Sequence, residues 1–283
     1  MSNSHCTLSH AEIENLLRED APYGDLTVAA LGIGPRPGRI LFYSRDPMQV
    51  CGTEEAVRLF ELVGARAELH TASGLAVEPE QLLLSAEGST DSLFRAWKVA
   101  QSLIESVSGV STLARRIVQL AGAARVACTR KHMPGQKVMM VKAVESGGAC
   151  MHRLGLSESI MVTAEHRAFL LDDESAGYLG TLQGAYPEKK IIVEVDTLES
   201  ALALVRQGCQ VIQLEKLSPE QVAQVAAAVH SDAPVGQRPV IAAAGGIGPD
   251  NAAEYAAAGA DVLVTSAPYF AKPRDVQVRF ESN

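Results

Sequence analysis

Apolar and polar positions along this chain follow two different periods, and the switch between them divides it. Ser9 and Glu12 form a capping box ahead of Ile13, Leu16 and Leu17, which recur at helical spacing and predict an opening helix. Residues 20–38 are rich in proline and glycine and read as a connection, whereas residues 39–45 and 81–86 read as strands around a helix beginning near Thr53. The first third therefore predicts an α+β domain. Residues 92–121 place apolar side chains on one face of a long helix that joins the two halves, with a break expected at Ser108-Gly109.

Beyond Ala124 the pattern becomes repetitive. Short β-branched runs at 125–128, 159–163, 191–195, 211–214, 240–243 and 261–265 are separated by helical patterns at about 135–146, 198–207, 219–230 and 249–258. Strands alternating with helices predict parallel βα units, and this many in succession predict a TIM-like α/β barrel, complete or open; a doubly wound sheet is the alternative. The expected organisation is an N-terminal α+β domain over residues 1–110, a barrel over 111–270, and a tail over 271–283 that returns to the N-terminal domain. In a barrel the active site lies in the loops at the carboxyl ends of the strands, so the polar residues there are the candidates for chemistry.

Composition narrows the classes of partner. A chain of 283 residues with a formal charge of -8 and 47% hydrophobic positions has a substantial core and repels nucleic acid and anionic membranes, so any anion it binds needs a local basic site. The five cysteines (Cys6, Cys51, Cys128, Cys150 and Cys209) are scattered without ligand spacing, which predicts reduced, buried thiols rather than disulfides or zinc. No apolar run reaches the length of a membrane span, and the polar start lacks the pattern of a signal peptide; the expected location is cytoplasmic.

The local basic site is visible. Between Ala124 and Arg153 stand Arg125, Arg130, Lys131, Lys137, Lys142 and Arg153 against the single acid Glu145, with His132 and His152 among them. Thr129, Arg130 and Lys131 follow directly on the first barrel strand, where the planar fork of an arginine would suit a carboxylate. Lys142 reads as a solvating residue on the outer face of a helix, and Lys137 stays open between that role and a functional one.

Two carboxylates come next. Glu194 and Glu215 lie at or near the ends of successive strands, placed to hold magnesium through one or two carboxylates or to stabilise an oxocarbenium-like ribosyl transition state by charge. An internal salt bridge with the basic cluster is the bland alternative. Asp196 reads as the N-cap of the helix near Leu198. Lys216 follows a strand, as a Schiff-base lysine would, but its neighbour Glu215 favours the protonated amine. Ala244-Gly245-Gly246 follows another strand and, with Thr265-Ser266 after the next, predicts a phosphate-binding loop pair.

The sequences Thr129-Arg130-Lys131-His132-Met133-Pro134-Gly135, Lys142-Ala143-Val144, Gly147-Gly148 and His152-Arg153-Leu154-Gly155-Leu156-Ser157 closely resemble those of the quinolinate phosphoribosyltransferase family in order and spacing. Agreement continues through Gly24-Asp25-Leu26-Thr27, Ser108-Gly109-Val110-Ser111-Thr112, Glu194-Val195-Asp196-Thr197 and Gly245-Gly246-Ile247, and the wording at Glu165 to Leu170 resembles the branch associated with molybdenum transport operons. The resemblance implies a seven-stranded open α/β barrel with an N-terminal domain, working as a homodimer with domain-crossing active sites. It implies phosphoribosyl pyrophosphate and Mg2+, quinolinate as acceptor, and loss of carbon dioxide after ribosylation. Carried over by position, Arg130, Lys131, His152 and Arg153 grip the acceptor, Glu194 and Glu215 the ribose and metal, and Gly245-Gly246 the 5-phosphate.

The departures are specific. Lys98 stands where the family has a substrate-binding arginine, Thr163 where it has an acceptor-binding lysine, Glu215-Lys216 where it has Asp-Asn, and Ala244 where serine is usual. A lost cation and a lost fork would weaken a di-anion pocket, since charged hydrogen bonds contribute about 1.5–3 kcal/mol each. The expected activity is transfer of 5-phosphoribosyl to quinolinate or a related small aromatic acid; the alternative is a non-catalytic protein that binds molybdate or a metabolite anion.

Overall fold

The computed structural model describes residues 7–171, 175, 177–232 and 238–282. It divides into two compact units, one of residues 1–115, 132–149 and 268–283, the other of residues 116–131 and 150–267. The boundary expected at 110/111 falls inside one continuous helix.

The first unit opens with α1 (His10–Asp20), whose Ser9–Glu12 capping box forms as the sequence predicts, the Ser9 N–H donating to Glu12 at 2.8 Å. The proline-rich connection contains a short helix, α2 (Leu26–Leu31), started by Asp25, which accepts from the Val28 N–H. Then follow β1 (Pro37–Ser44), β2 (Met48–Gln49), α3 (Thr53–Leu62), β3 (Arg66–Leu69), β4 (Ala76–Val77), β5 (Leu82–Ser89) and the long helix α4 (Thr90–Ala121), with α5 (Lys137–Ser146) and β13 (Val276–Ser282) arriving from later in the chain. The main sheet runs β13-β1-β5-β3, antiparallel throughout. Its buried face, including Ile40, Phe42 and Leu84, packs with Leu59 and Phe60 of α3, the rings of Phe42 and Phe60 meeting edge to face.

Two expectations fail here. The helix α4 does not break at Gly109; a Cβ there would stand 2.4 Å from the Lys272 carbonyl oxygen, so the glycine serves close backbone approach. Lys142 does not solvate an outer face. It is fully buried, its ammonium 2.9 Å from Glu54 Oε2 and 2.7 Å from Glu55 Oε2. Burial opposes that charge, but attraction to Glu55 and hydrogen bonds to both carboxylates hold the ammonium pKa above its ordinary value. Glu55 also accepts from the Thr7 N–H and hydroxyl, and Glu54 from the Ser73 N–H.

The second unit is built on a seven-stranded parallel sheet. Its strands are β6 (Arg125–Cys128), β7 (Cys150–Met151), β8 (Ile160–Val162), β9 (Ile191–Val195), β10 (Val211–Glu215), β11 (Val240–Ala244) and β12 (Val262–Thr265), in the order β7-β6-β12-β11-β10-β9-β8. The sheet begins at β7 and ends at β8, which are consecutive in the chain, so the half-barrel stays open between them. Its helices are α6 (Ala164–Arg167), α7 (Tyr178–Ala185), α8 (Leu198–Arg206), α9 (Pro219–Asp232) and α10 (Ala252–Ala257). Ile191, Val193 and Val195 alternate with the half-buried Ile192 and Glu194, as the two faces of a strand require. Thr197, not Asp196, caps α8: it stands in extended conformation one residue before the helix and accepts from the Ser200 N–H, leaving Asp196 exposed.

Burial pushes the thiols of Cys51 and Cys128 up to about 12, in keeping with inert cysteines. Cys209 is also buried, but Cys150 is exposed at an edge strand, contrary to expectation; Cys6 lies outside the described residues. Among the described residues no helix is long and apolar enough to cross a membrane.

Candidate functional site

The carboxyl ends of the half-barrel strands carry most of the residues that the sequence singles out. After β6 come Thr129, Arg130 and Lys131, both cations exposed. The Thr129 N–H donates to the Thr265 carbonyl, joining the loops after β6 and β12. After β7 the His152 N–H donates to the Cys128 carbonyl, and Arg153 turns toward the open side of the sheet. There its Nε donates to Ser159 Oγ and its Nη2 to the Ser159 carbonyl, each at 3.0 Å. Partial burial, and then the neighbouring charge of Arg130, lower the Arg153 pKa from its ordinary value. Burial and the Arg153 charge also hold His152 below the usual histidine range, which keeps it neutral near pH 7. Two arginines close enough to repel, beside a neutral histidine, form a place where an anion relieves strain.

On the neighbouring strands β9 and β10, Glu194 sits in register with Gln213, two residues before Glu215. The Gln213 Nε2 donates to Glu194 Oε2 at 2.7 Å. Desolvation and then the Glu215 charge raise the Glu194 pKa above the ordinary carboxylate value, against the Gln213 hydrogen bond, which lowers it. Among the described residues neither carboxylate forms a salt bridge with the basic cluster. They are like charges confined together, a pair suited to a cation.

After β11, Gly245 and Gly246 adopt left-handed conformations with φ of 96° and 74°. A Cβ on Gly245 would meet the Lys216 side chain at 2.6 Å and its backbone nitrogen at 3.0 Å. Ala244 is buried beneath them, and Thr265 braces the loop from β12, its hydroxyl donating to the Ile247 carbonyl at 2.6 Å while Ser266 is half-buried beside it.

Two other candidates are placed differently. Thr163 caps α6, its hydroxyl 2.8 Å from His166 Nδ1. Lys98 belongs to the first unit, on α4, with its ammonium over the Trp97 ring and hydrogen-bonded to Gln101. It lines a groove of about 620 Å³ with Glu12, Asp20, Val99, Leu103 and Met139. Lys137 is exposed. Among the described residues no three histidine, cysteine, aspartate or glutamate side chains cluster closely enough to hold a metal by themselves.

Sequence reasoning missed three residues. Gln213 was visible as a polar residue inside an apolar run. Asn251 accepts from the Gly248 N–H and donates to the Gly246 carbonyl, bracing the glycine loop. Arg167 follows β8 and donates to the Glu194 carbonyl at 2.8 Å.

Family models agree with this arrangement over nearly the whole chain. The model described as Quinolinate phosphoribosyl transferase, C-terminal domain, matches residues 110–279, and the one for the N-terminal domain matches residues 25–108. The chain belongs to the quinolinate phosphoribosyl transferase family. It is 46% identical over 242 residues to the ModD protein of Rhodobacter capsulatus, covering 84% of this chain and 92% of that one. It is 37% identical over 278 residues to ModD of Pasteurella multocida, covering 96% and 98%. The fold matches NadC from Streptococcus pyogenes with a TM-score of 0.86 at 22% identity, over 96% of this chain and 95% of that one. The nicotinate-nucleotide pyrophosphorylase from Francisella tularensis matches with the same TM-score at 19% identity, over 95% and 94%.

Proposed function

We propose that this protein transfers 5-phosphoribosyl from phosphoribosyl pyrophosphate to quinolinate or a related small aromatic acid, releasing pyrophosphate. The observation that carries the reading is the order of chemistry along the half-barrel strand ends: arginines after β6 and β7, repelling carboxylates on β9 and β10, and a left-handed glycine pair after β11. The glycine loop would take the 5-phosphate through backbone N–H groups, and Glu194 and Glu215 would face the ribose as positive charge develops at its anomeric carbon. Arg130, Lys131, His152 and Arg153 would grip the acceptor by its carboxylates, so that its ring nitrogen lies in line with that carbon and bonds to it as pyrophosphate departs.

The carboxylate pair fits Mg2+, a cation that takes one or two carboxylates and completes its shell with water and substrate phosphates. When bound, magnesium would neutralise pyrophosphate as it leaves. Glu194 and Glu215 would hold it, and the desolvation of Glu194, followed by the nearby Glu215 charge, is the feature of this chain that favours such a cation. Assembly as a homodimer is part of the same reading, with the apolar groove beside Lys98 covered by a second copy.

Incubation with phosphoribosyl pyrophosphate, Mg2+ and a panel of pyridine carboxylates tests the proposal through pyrophosphate release. Turnover with at least one acid supports it. Absence of turnover and of phosphoribosyl pyrophosphate binding overturns it, and molybdate binding lost in an Arg130→Ala/Arg153→Ala double variant would favour a non-catalytic anion-binding protein instead.

A further inference from the structure

Every strand end around the half-barrel except that of β8 carries a residue assigned above to charge or phosphate chemistry; β8 ends in Thr163, whose hydroxyl is turned to His166 as a helix cap. One helical turn later stands Arg167. This arginine is half-buried and has no carboxylate within salt-bridge distance among the described residues, unlike Arg39, Arg45 and Arg238, which face acids. Neutral groups hold it instead. Its Nη1 donates to the Glu194 carbonyl at 2.8 Å, and the phenol of Tyr178 on α7 stands near enough to feel its charge. Its charge is felt by Glu194 and Glu165 without forming an ion pair with either.

A guanidinium oriented by neutral acceptors keeps its full charge for an incoming anion, and its fork has five N–H donors, more than these two contacts use. Arg153 is held in the same manner, by the hydroxyl and carbonyl of Ser159 immediately before β8. The two arginines thus flank one strand, one on the segment entering it and one on the helix leaving it, and Arg167 is tied to the very residue that carries the Glu194 carboxylate.

We infer that Arg167 is a specificity-determining residue that binds a carboxylate of the acceptor, giving the site a third arginine beside Arg130 and Arg153. The inference rests on the acceptor reading above and deepens it: an acid with two neighbouring carboxylates gains more from Arg167 than an acid with one. Arg167 hydrogen-bonds Glu194 through the main chain and acts on its carboxylate only as the weakest of the charges around it, so its removal leaves the carboxylate pair and the glycine loop in place for phosphoribosyl pyrophosphate.

Calorimetry on the full chain with pyridine-2,3-dicarboxylate, pyridine-3-carboxylate, and phosphoribosyl pyrophosphate with Mg2+ tests this in wild type, Arg167→Gln and Arg167→Lys. Arg167→Gln is expected to weaken the dicarboxylate by about tenfold or more, since a charged hydrogen-bond pair is lost. The monocarboxylate should change less and phosphoribosyl pyrophosphate by no more than about twofold, because neither depends on the second carboxylate contact. Arg167→Lys should recover part of the loss, which also guards against a misfolded variant. Unchanged dicarboxylate affinity in Arg167→Gln overturns the inference while leaving the acceptor reading intact, and equal loss of dicarboxylate and phosphoribosyl pyrophosphate overturns it by making Arg167 a scaffold for Glu194. If the wild type binds phosphoribosyl pyrophosphate but neither acid, the acceptor reading and this inference fall together.

Discussion

Gln213 and Glu194 are register partners on adjacent strands, and the amide of the first donates to the carboxylate of the second at 2.7 Å, leaving Gln213 Oε1 buried with no hydrogen-bond partner among the described residues. That arrangement is costly to the free protein: a carboxylate is desolvated beside Glu215, and an acceptor atom goes unsatisfied. Because the folded-state pKa of Glu194 is raised, the folded protein holds its proton to higher pH than the unfolded chain does. The stabilisation it gives is full below the unfolded pKa and is lost as pH rises through the folded one. Glu194→Gln is therefore expected to raise the thermal midpoint at pH 7 and not at pH 4, while abolishing pyrophosphate release. A lower midpoint at pH 7 would contradict the repulsion described.

The second carboxylate tunes the first. Binding of phosphoribosyl pyrophosphate with Mg2+ should strengthen with pH through a midpoint above the ordinary carboxylate range, as Glu194 ionises. Glu215→Gln should move that midpoint downward by removing a like charge. A pH series of binding isotherms for both proteins checks the shift.

Lys142 is the only positive charge beside Glu54 and Glu55 among the described contacts of that cluster. Lys142→Met would strand two buried carboxylates and is expected to cost about 3–5 kcal/mol in chemical denaturation, whereas replacing all three residues by apolar ones of similar size should cost far less. Equal losses in the single and triple variants would mean that packing, not charge, dominates there.

Gly245 and Gly246 separate two effects. Gly246→Ala meets open space and adds only left-handed strain of about 1–2 kcal/mol. Gly245→Ala drives a methyl group into Lys216 and must displace the loop, so it should weaken phosphoribosyl pyrophosphate by about 100-fold, the loss of two charged hydrogen bonds. Calorimetry on the two variants should rank them in that order.

Ser159→Ala removes one of the two contacts that orient Arg153, and keeps the other, to the backbone carbonyl. Acceptor affinity should fall about tenfold or less and phosphoribosyl pyrophosphate affinity should hold. Direct titration distinguishes this from a general loss of folding, in which both would decline.

The barrel strands were legible because their apolar runs are bounded by polar loops: 191–195 and 240–244 are each within a residue of what periodicity predicts. The strand-end positions of Glu194, Glu215 and Gly245-Gly246 were legible for the same reason, because each lies within or directly after such a run. Two-residue β7 carries too few positions for any period to register. Lys142 was misread because the sequence shows a lysine on a helix but not the two glutamates, nearly ninety residues earlier, that make its burial possible. Gly109 was misread because helix propensity is local, whereas the Lys272 carbonyl that requires a glycine comes from far along the chain. Arg167 went unassigned because its partner is a backbone carbonyl, which no side-chain pattern reveals.

The pairing of β13 with β1 also sets a schedule. Ser282 to Val276 lie against Gly38 to Ser44, with the entire half-barrel between them in the chain. As the polypeptide leaves the ribosome, β1 emerges early and its outer edge has no neighbour until the final strand follows, after every half-barrel strand has been made. An open edge of that length invites pairing with other nascent chains. The N-terminal sheet is thus first in and last sealed: the half-barrel has all its strands before that sheet can close, and a stalled or shortened product would carry every half-barrel strand together with an adhesive edge.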